Sequence, residues 1–154
     1  MTTYASVPLD VLRSMSGLDV LREMLADRMP APPIGRMMQF TLAEADQGRA
    51  VFTCSPSQEH YNPTGSVHGG LAGTLLDSCM GCAVMTTLPM GFASTTLEYR
   101  VHLVRAMSDK TGPVRAEGTV VHAGRQVATA EGRIIGADGK LYAHGTTTCL
   151  IFSI

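Results

Sequence analysis

Between Glu59 and Glu98 the sequence holds a single formally charged residue, Asp77. Around it, Leu71, Ala72, Gly73, Leu75, Leu76, Cys79, Met80, Gly81, Cys82, Ala83 and Val84 are all apolar or small. Proline and glycine bound the run on both sides, at Pro63 and Gly65 before it and at Pro89 and Gly91 after it. Its length and setting therefore predict one helix from His68-Gly69-Gly70 to about Met85. A helix that is apolar on every face has no side to give to water and belongs inside a domain. The rest of the chain must wrap around it. Residues 78–97 are uncharged over nearly the length of a bilayer span, but Thr86, Thr87, Pro89, Gly91, Ser94, Thr95 and Thr96 make the stretch too polar and too broken to cross one.

The flanking sequence supplies the wrapping. After residue 94 the period changes to two: Thr95, Leu97, Tyr99, Val101 and Leu103 alternate with Thr96, Glu98, Arg100 and His102. Val114, Ala116, Gly118 and Val120, then Ala128, Ala130, Gly132 and Ile134, alternate with polar residues in the same way, and residues 141–151 form a last strand. Short breaks at residues 123–125 and 137–140 suit hairpins. Upstream, residues 37–43 and 49–54 read as two strands joined through Asp46-Gln47-Gly48, and residues 55–65 as an irregular loop. Leu18, Leu21, Met24, Leu25 and Met29 predict a short amphipathic helix over residues 17–29, ended by Pro30-Ala31-Pro32-Pro33. The order β-β-α-β-β-β-β predicts an α+β fold, an antiparallel sheet around one apolar helix, behind a helical lead-in over residues 1–33.

A chain of 154 residues is one domain with a core that needs no staples. Only 16% of its residues are charged, against about 25% in ordinary soluble domains, which predicts that part of the exterior is hidden between subunits. A net charge of −1 argues against a nucleic-acid partner, which would normally meet a basic face. Four cysteines in a chain of this size are no disulfide scaffold, and the first residues lack the basic and apolar regions of a signal peptide. The expectation is a cytoplasmic protein with reduced thiols and no membrane partner.

Two features carry chemistry. An unpaired carboxylate in an apolar helix is costly, so Asp77 must meet a partner, water or a ligand. The His68-Gly69-Gly70 turn leaves backbone N–H groups uncovered at a helix N-terminus, where they can hold the oxygen of a polarised carbonyl. Gly69 and Asp77 lie eight residues apart on one helix, about 12 Å along its axis, too far to grip one small group. If both act on one carbonyl, Asp77 must face the Gly69 turn of a second copy across a two-fold axis. Cys79 and Cys82 have a redox spacing but sit in the apolar helix, and read as packing residues. His60, His102, His122 and His144 show no metal-ligand spacing and read as surface or strand-face residues, so no metal is expected.

The string Asn62-Pro63-Thr64-Gly65-Ser66-Val67-His68-Gly69-Gly70, then Leu76-Asp77, then Thr96-Leu97-Glu98-Tyr99, resembles the hotdog-fold acyl-CoA thioesterases of the phenylacetic-acid-degradation type and of the thioesterase superfamily member 2 branch. The likeness covers residues 34–152 and implies a hotdog thioesterase domain over residues 34–154. It implies that Asp77 is nucleophile or general base, that the Gly69 N–H polarises the thioester carbonyl, that Asn62 and His68 line the site, and that Thr96 helps hold water. Gly70, with the Gly124-Arg125 turn and, more weakly, Arg105, is implied in binding the substrate and its coenzyme A phosphates. Coenzyme A would be part of the substrate, no separate cofactor would be needed, and the assembly would be a homodimer or a tetramer built as a dimer of dimers. Where the family often has Leu-Arg-Pro after the strand, this chain has Val104-Arg105-Ala106. Two other functions share the fold. A hydratase needs a His paired with an acid in a different motif, and an acyl-CoA-binding protein without chemistry gains nothing from a buried acid beside an acyl chain.

Overall fold

The computed structural model describes residues 2–154; Met1, the first residue of the expected lead-in, lies outside them. Three short helices come first: α1 (Leu9–Ser14), α2 (Gly17–Leu25) and α3 (Pro33–Met37). Strands β1 (Phe40–Asp46) and β2 (Arg49–Cys54) precede a 3-10 turn at Gln58–His60 and the long helix α4 (Gly69–Met85). The chain closes with β3 (Phe92–Leu103), β4 (Val114–Ala123), β5 (Val127–Gly136) and β6 (Leu141–Ser153). All six strands join in one antiparallel sheet in the order β1-β2-β4-β5-β6-β3. The sheet wraps α4, which is the α+β hotdog arrangement.

Why the sheet can close on the helix is visible in its glycines. Gly118 on β4 pairs with Gly132 on β5, which pairs with Gly145 on β6, so the three form a row across the inner face. A Cβ at Gly118 would overlap the Cys79 carbonyl of α4, and one at Gly132 would stand 2.9 Å from Met80 Cγ. The missing side chain at Gly118 lets the α4 backbone lie directly against β4, and the one at Gly132 makes room for Leu76, Cys79 and Met80. Leu75, Leu76, Cys79, Met80, Ala83 and Val84 fill the remaining space with no exposed surface, and Phe40 and Phe52 close the β1–β2 end edge to face at 5.6 Å.

The strand alternation holds over residues 114–120 of β4 and 128–134 of β5, each followed by a register shift, whereas in β3 it breaks in mid-strand. Thr96 pairs with Cys149 and Glu98 with Thr148, so Leu97 is an extra residue that the partner strand does not match. Such a bulge shifts the side-chain phase and re-aims what precedes it. Unbroken alternation would set Thr96 on the same side as Glu98, Arg100 and His102. The bulge turns it inward, toward α4.

The N-terminal region differs most from its sequence reading. The helix over residues 17–29 stops at Leu25, α1 precedes it, and residues 30–33 lead into α3, where Pro33 occupies a first-turn position that needs no N–H donor. β1 starts at Phe40, not at residue 37, because α3 and a left-handed Gln39 (φ 55°) occupy the intervening positions. Ser16 caps α2 by accepting from the Asp19 N–H at 3.2 Å. Gly17 then abuts the end of α4: its N–H donates to the Leu88 carbonyl at 3.0 Å, and a Cβ there would overlap the Met85 carbonyl. With Val20 and Leu21 buried, α2 is held against α4 and β1 as part of the packed structure.

Candidate active site

Helix α4 is apolar all round, yet it is not buried all round. Thr74, Asp77, Ser78, Gly81, Cys82 and Met85 recur at helical spacing and form a half-buried stripe on the side away from the sheet. The expectation of a fully enclosed helix is corrected here: the sheet covers one side, while α1, α2 and β3, with Cys149 of β6, border the other. Between them lies a cavity of about 360 Å³ that contains Asp77. Its walls are mainly apolar, with Leu12, Met15 and Val20 from the lead-in, Met85 from α4, and Phe92 and Ala93 from β3. Thr96 Oγ1 donates to Asp77 Oδ1 at 2.8 Å. One carboxylate oxygen is thereby fixed, and no protein donor engages Oδ2 among the described residues.

The N-terminus of α4 opens into a different cavity, of about 290 Å³, lined by Asn62, His68, Gly69, Leu103, Arg105 and Tyr142 among others. His68 is the N-cap, and its Nδ1 accepts from the Gly70 N–H at 2.8 Å, leaving the proton of a neutral ring on Nε2. The Gly69 N–H has no acceptor among the described residues, so it remains available at the positive end of a seventeen-residue helix. Asn62 is engaged in shaping this entry. Its Oδ1 accepts from Thr64 N, Thr64 Oγ1 and Ser66 N at 3.0, 2.8 and 3.2 Å, and its Nδ2 donates to Ser66 Oγ.

Of the residues singled out in the sequence, the structure thus brings Asp77 and Thr96 together, and Asn62, His68, Gly69 and Arg105 together, but not the two groups with each other. Gly70 faces a third hollow with His68 and Thr74. Gly124 and Arg125 line a fourth, of about 360 Å³, beside Phe92, which also borders the Asp77 cavity. Arg105 follows one end of the twelve-residue β3 and Arg125 lies beside its other end. At about 3.3 Å per residue that separates them by tens of ångströms within one protomer.

The cysteines divide by the same two sides of α4. Cys79 is fully buried against the sheet, as a packing residue should be. Cys82 is not in the core: it faces the Asp77 cavity, where burial, with the Asp77 charge adding, pushes its thiol up to about 12. Burial and the nearby carboxylate both disfavour the thiolate, which removes the reactive-cysteine reading. His60 is corrected as well. It is buried, and its ring bridges the Ser57 N–H (3.0 Å) and the Met38 carbonyl (3.2 Å), so it clasps the loop before α4. His102 and His144 are exposed and stack at 4.9 Å across β3 and β6. Sequence reasoning missed the contribution of Leu12, Met15, Val20 and Cys149 to the Asp77 cavity. Only the amphipathic spacing in the lead-in hinted at it. Among the described residues no helix is long and apolar enough to cross a membrane.

With this geometry in hand, comparison with known proteins is specific. The profile of the thioesterase superfamily matches residues 64–143, just over half of the chain and including all of α4, β3, β4 and β5. The chain belongs to the thioesterase superfamily. A crystal structure of a phenylacetic acid degradation-related protein from Ralstonia eutropha JMP134, described as a candidate thioesterase, is similar at 27% identity and a TM-score of 0.76, over 85% of this chain and 98% of that one. The PaaI protein of the E. coli phenylacetic acid degradation operon shares the fold at a TM-score of 0.77, with 19% identity over 92% and 96% of the two chains. A protein of Saccharolobus solfataricus named as a candidate esterase is 28% identical over 113 residues, 73% of this chain and 79% of that one.

Proposed function

We propose that the protein hydrolyses acyl-CoA thioesters to the free acid and CoA, at two equivalent sites shared across a two-fold dimer. Membership of the thioesterase superfamily supports thioester hydrolysis. The observation that carries the shared site is the separation of the two functional groups: an oriented carboxylate in one cavity and an unpartnered helix N–H in another.

In this reading Asp77 of one protomer faces the partner's Gly69. The Gly69 N–H and the positive end of α4 take up the negative charge that develops on the thioester oxygen. Asp77 either accepts a proton from a water whose oxygen adds to the carbonyl carbon, or adds to that carbon itself. Thr96 fixes the carboxylate with one oxygen directed at the reacting centre. As the tetrahedral adduct collapses, the C–S bond breaks and the CoA sulfur leaves as thiolate, taking up a proton; where Asp77 itself has added, the mixed anhydride left behind is then cleaved by water, which releases the free acid and restores the carboxylate. The apolar cavity suits the acyl group and excludes bulk water, which strengthens each polar contact within it. CoA lies outside, toward cations. Arg105 lines the Gly69 cavity and Arg125 the hollow next to the Asp77 cavity beyond Phe92, so a two-fold arrangement gives each site one nearby arginine from either protomer. No cofactor is needed beyond the CoA of the substrate. A dimer, or a pair of dimers, in the cytoplasm completes the reading.

Two inactive variants test the shared site together. Gly69→Pro deletes the N–H at a first-turn position that accepts proline, behind a His68 whose extended backbone (φ −61°, ψ 135°) also tolerates it. Asp77→Asn deletes the base. Each alone is expected to lose activity in a thiol-release assay on acyl-CoAs. Co-folded in equal amounts, half of the dimers are hybrids in which one site is doubly defective and the other intact, restoring roughly a quarter of wild-type activity. No recovery in a verified hybrid would place both groups in the service of one protomer and overturn the shared site.

A further inference from the structure

The open stripe of α4 continues past Asp77. Gly81, Cys82 and Met85 extend it to a point about 12 Å farther along the helix axis, all on the wall of the Asp77 cavity. On the other side of Cys82 and Met85 lies a second and larger cavity of about 480 Å³. It is roofed by α2 and floored by the first hairpin: Leu21, Met24 and Leu25 above, Phe40, Leu42 and Phe52 below. Asp27, exposed at the surface, is the one charged residue that borders it. Cys82 and Met85 line both spaces, so a small and a flexible side chain stand on the wall they share. Methionine is unbranched, with three rotatable bonds, and moves aside at little cost. The roof is firm by contrast, since Gly17 locks the start of α2 onto the end of α4.

We infer that the two cavities form one channel for a straight aliphatic acyl chain, which starts at Asp77, passes Met85 and ends beneath α2. The substrate class is then medium- to long-chain acyl thioesters. Short acyl and arylacetyl groups end within the first cavity and leave the second without contact. This inference rests on the thioester-hydrolysis reading above and adds to it a role for the lead-in: α2 sets chain length. Each methylene moved from water into such a space contributes up to roughly fourfold in binding, so the preference should climb with chain length until the channel is full.

The test compares butyryl-, phenylacetyl- and decanoyl-CoA on the wild type and on Met24→Trp and Leu25→Trp, which set an indole into the second cavity. Leu25 is 37% exposed, so at least that variant has room to fold, and thermal melting checks both. The wild type is expected to favour decanoyl- over butyryl-CoA by at least tenfold in kcat/KM. In a folded tryptophan variant that ratio should fall by about tenfold. A folded variant with the wild-type ratio, or a wild type indifferent to chain length, overturns the channel while leaving hydrolysis intact. If no thioester is cleaved, the hydrolysis reading fails, and calorimetry with the uncleavable thioethers S-decyl-CoA and S-ethyl-CoA decides the channel. Tighter binding of the decyl compound, lost in Met24→Trp, supports it; equal affinities overturn it.

Discussion

The two sides of α4 are made of the same kinds of residue and do opposite things. Toward the sheet, Leu76, Cys79 and Met80 are sealed against the Gly118–Gly132–Gly145 row. Away from it, Asp77, Ser78, Gly81, Cys82 and Met85 border a cavity. The contrast lies in what each side meets. Glycine-bearing strands close tightly on the first side, while the second is bordered at intervals by two short helices, the edge strand β3, Cys149 and the first hairpin. A helix with an apolar face left loosely covered gives a carboxylate a poorly hydrated setting without burying it outright. The site is a consequence of incomplete packing beside very complete packing.

If the open side carries the chemistry, its acid should dominate every other substitution. Asp77→Asn preserves shape but removes charge and basicity, and turnover on the best acyl-CoA should fall by roughly 10²–10⁴. KM should change little, since the acid acts in the transition state. Thr96→Ala, which frees the carboxylate without removing it, should lose less. Near-normal turnover in the Asn variant would reduce the open side to a packing defect.

Glycine substitutions sharpen the contrast through stability alone. Gly118→Val drives a side chain into the Cys79 carbonyl, and overpacking of this kind costs about 1–3 kcal/mol or more. Gly81 has nothing within 4 Å of where its Cβ would stand. Gly81→Ala should therefore gain up to about 1 kcal/mol from helix propensity. Urea unfolding measures both, and equal destabilisation by the two would erase the distinction between the sides.

The smallest effect separates the helix from the outer surface of the sheet. There Glu44 accepts from Arg115 Nη2 at 2.7 Å and from Arg49 Nη1 at 2.6 Å, which holds its carboxyl below the ordinary value of 4.5. A carboxyl whose folded pKa is depressed contributes stability in full above its unfolded value. That contribution is lost as pH falls from about 4.5 through the lower folded value. Glu44→Gln should flatten the acid limb of a melting-temperature profile below pH 5 and change nothing at pH 7 in thioester turnover. Added salt should shrink the difference, because these groups are partly exposed.

Local chemistry determined a good part of this protein before any folding. The bounds of α4 followed from proline and glycine on either side of an apolar run, the strands from their period of two, and the hairpins from short turn strings. The distance between Gly69 and Asp77 followed from helix geometry alone. What the sequence left undecided depends on contacts between distant segments. Nothing in Thr96-Leu97-Glu98 announces a bulge, because the mismatch is defined only against Cys149 and Thr148 on β6. That bulge, not the alternation, turns Thr96 toward Asp77. His60 reads like any loop histidine until Met38, far away in the chain, accepts its ring proton. The uniform apolar character of α4 likewise could not say which side the sheet would take. That choice is made where Gly118 and Gly132 let the sheet close on α4, and it leaves the other side loosely covered around Asp77.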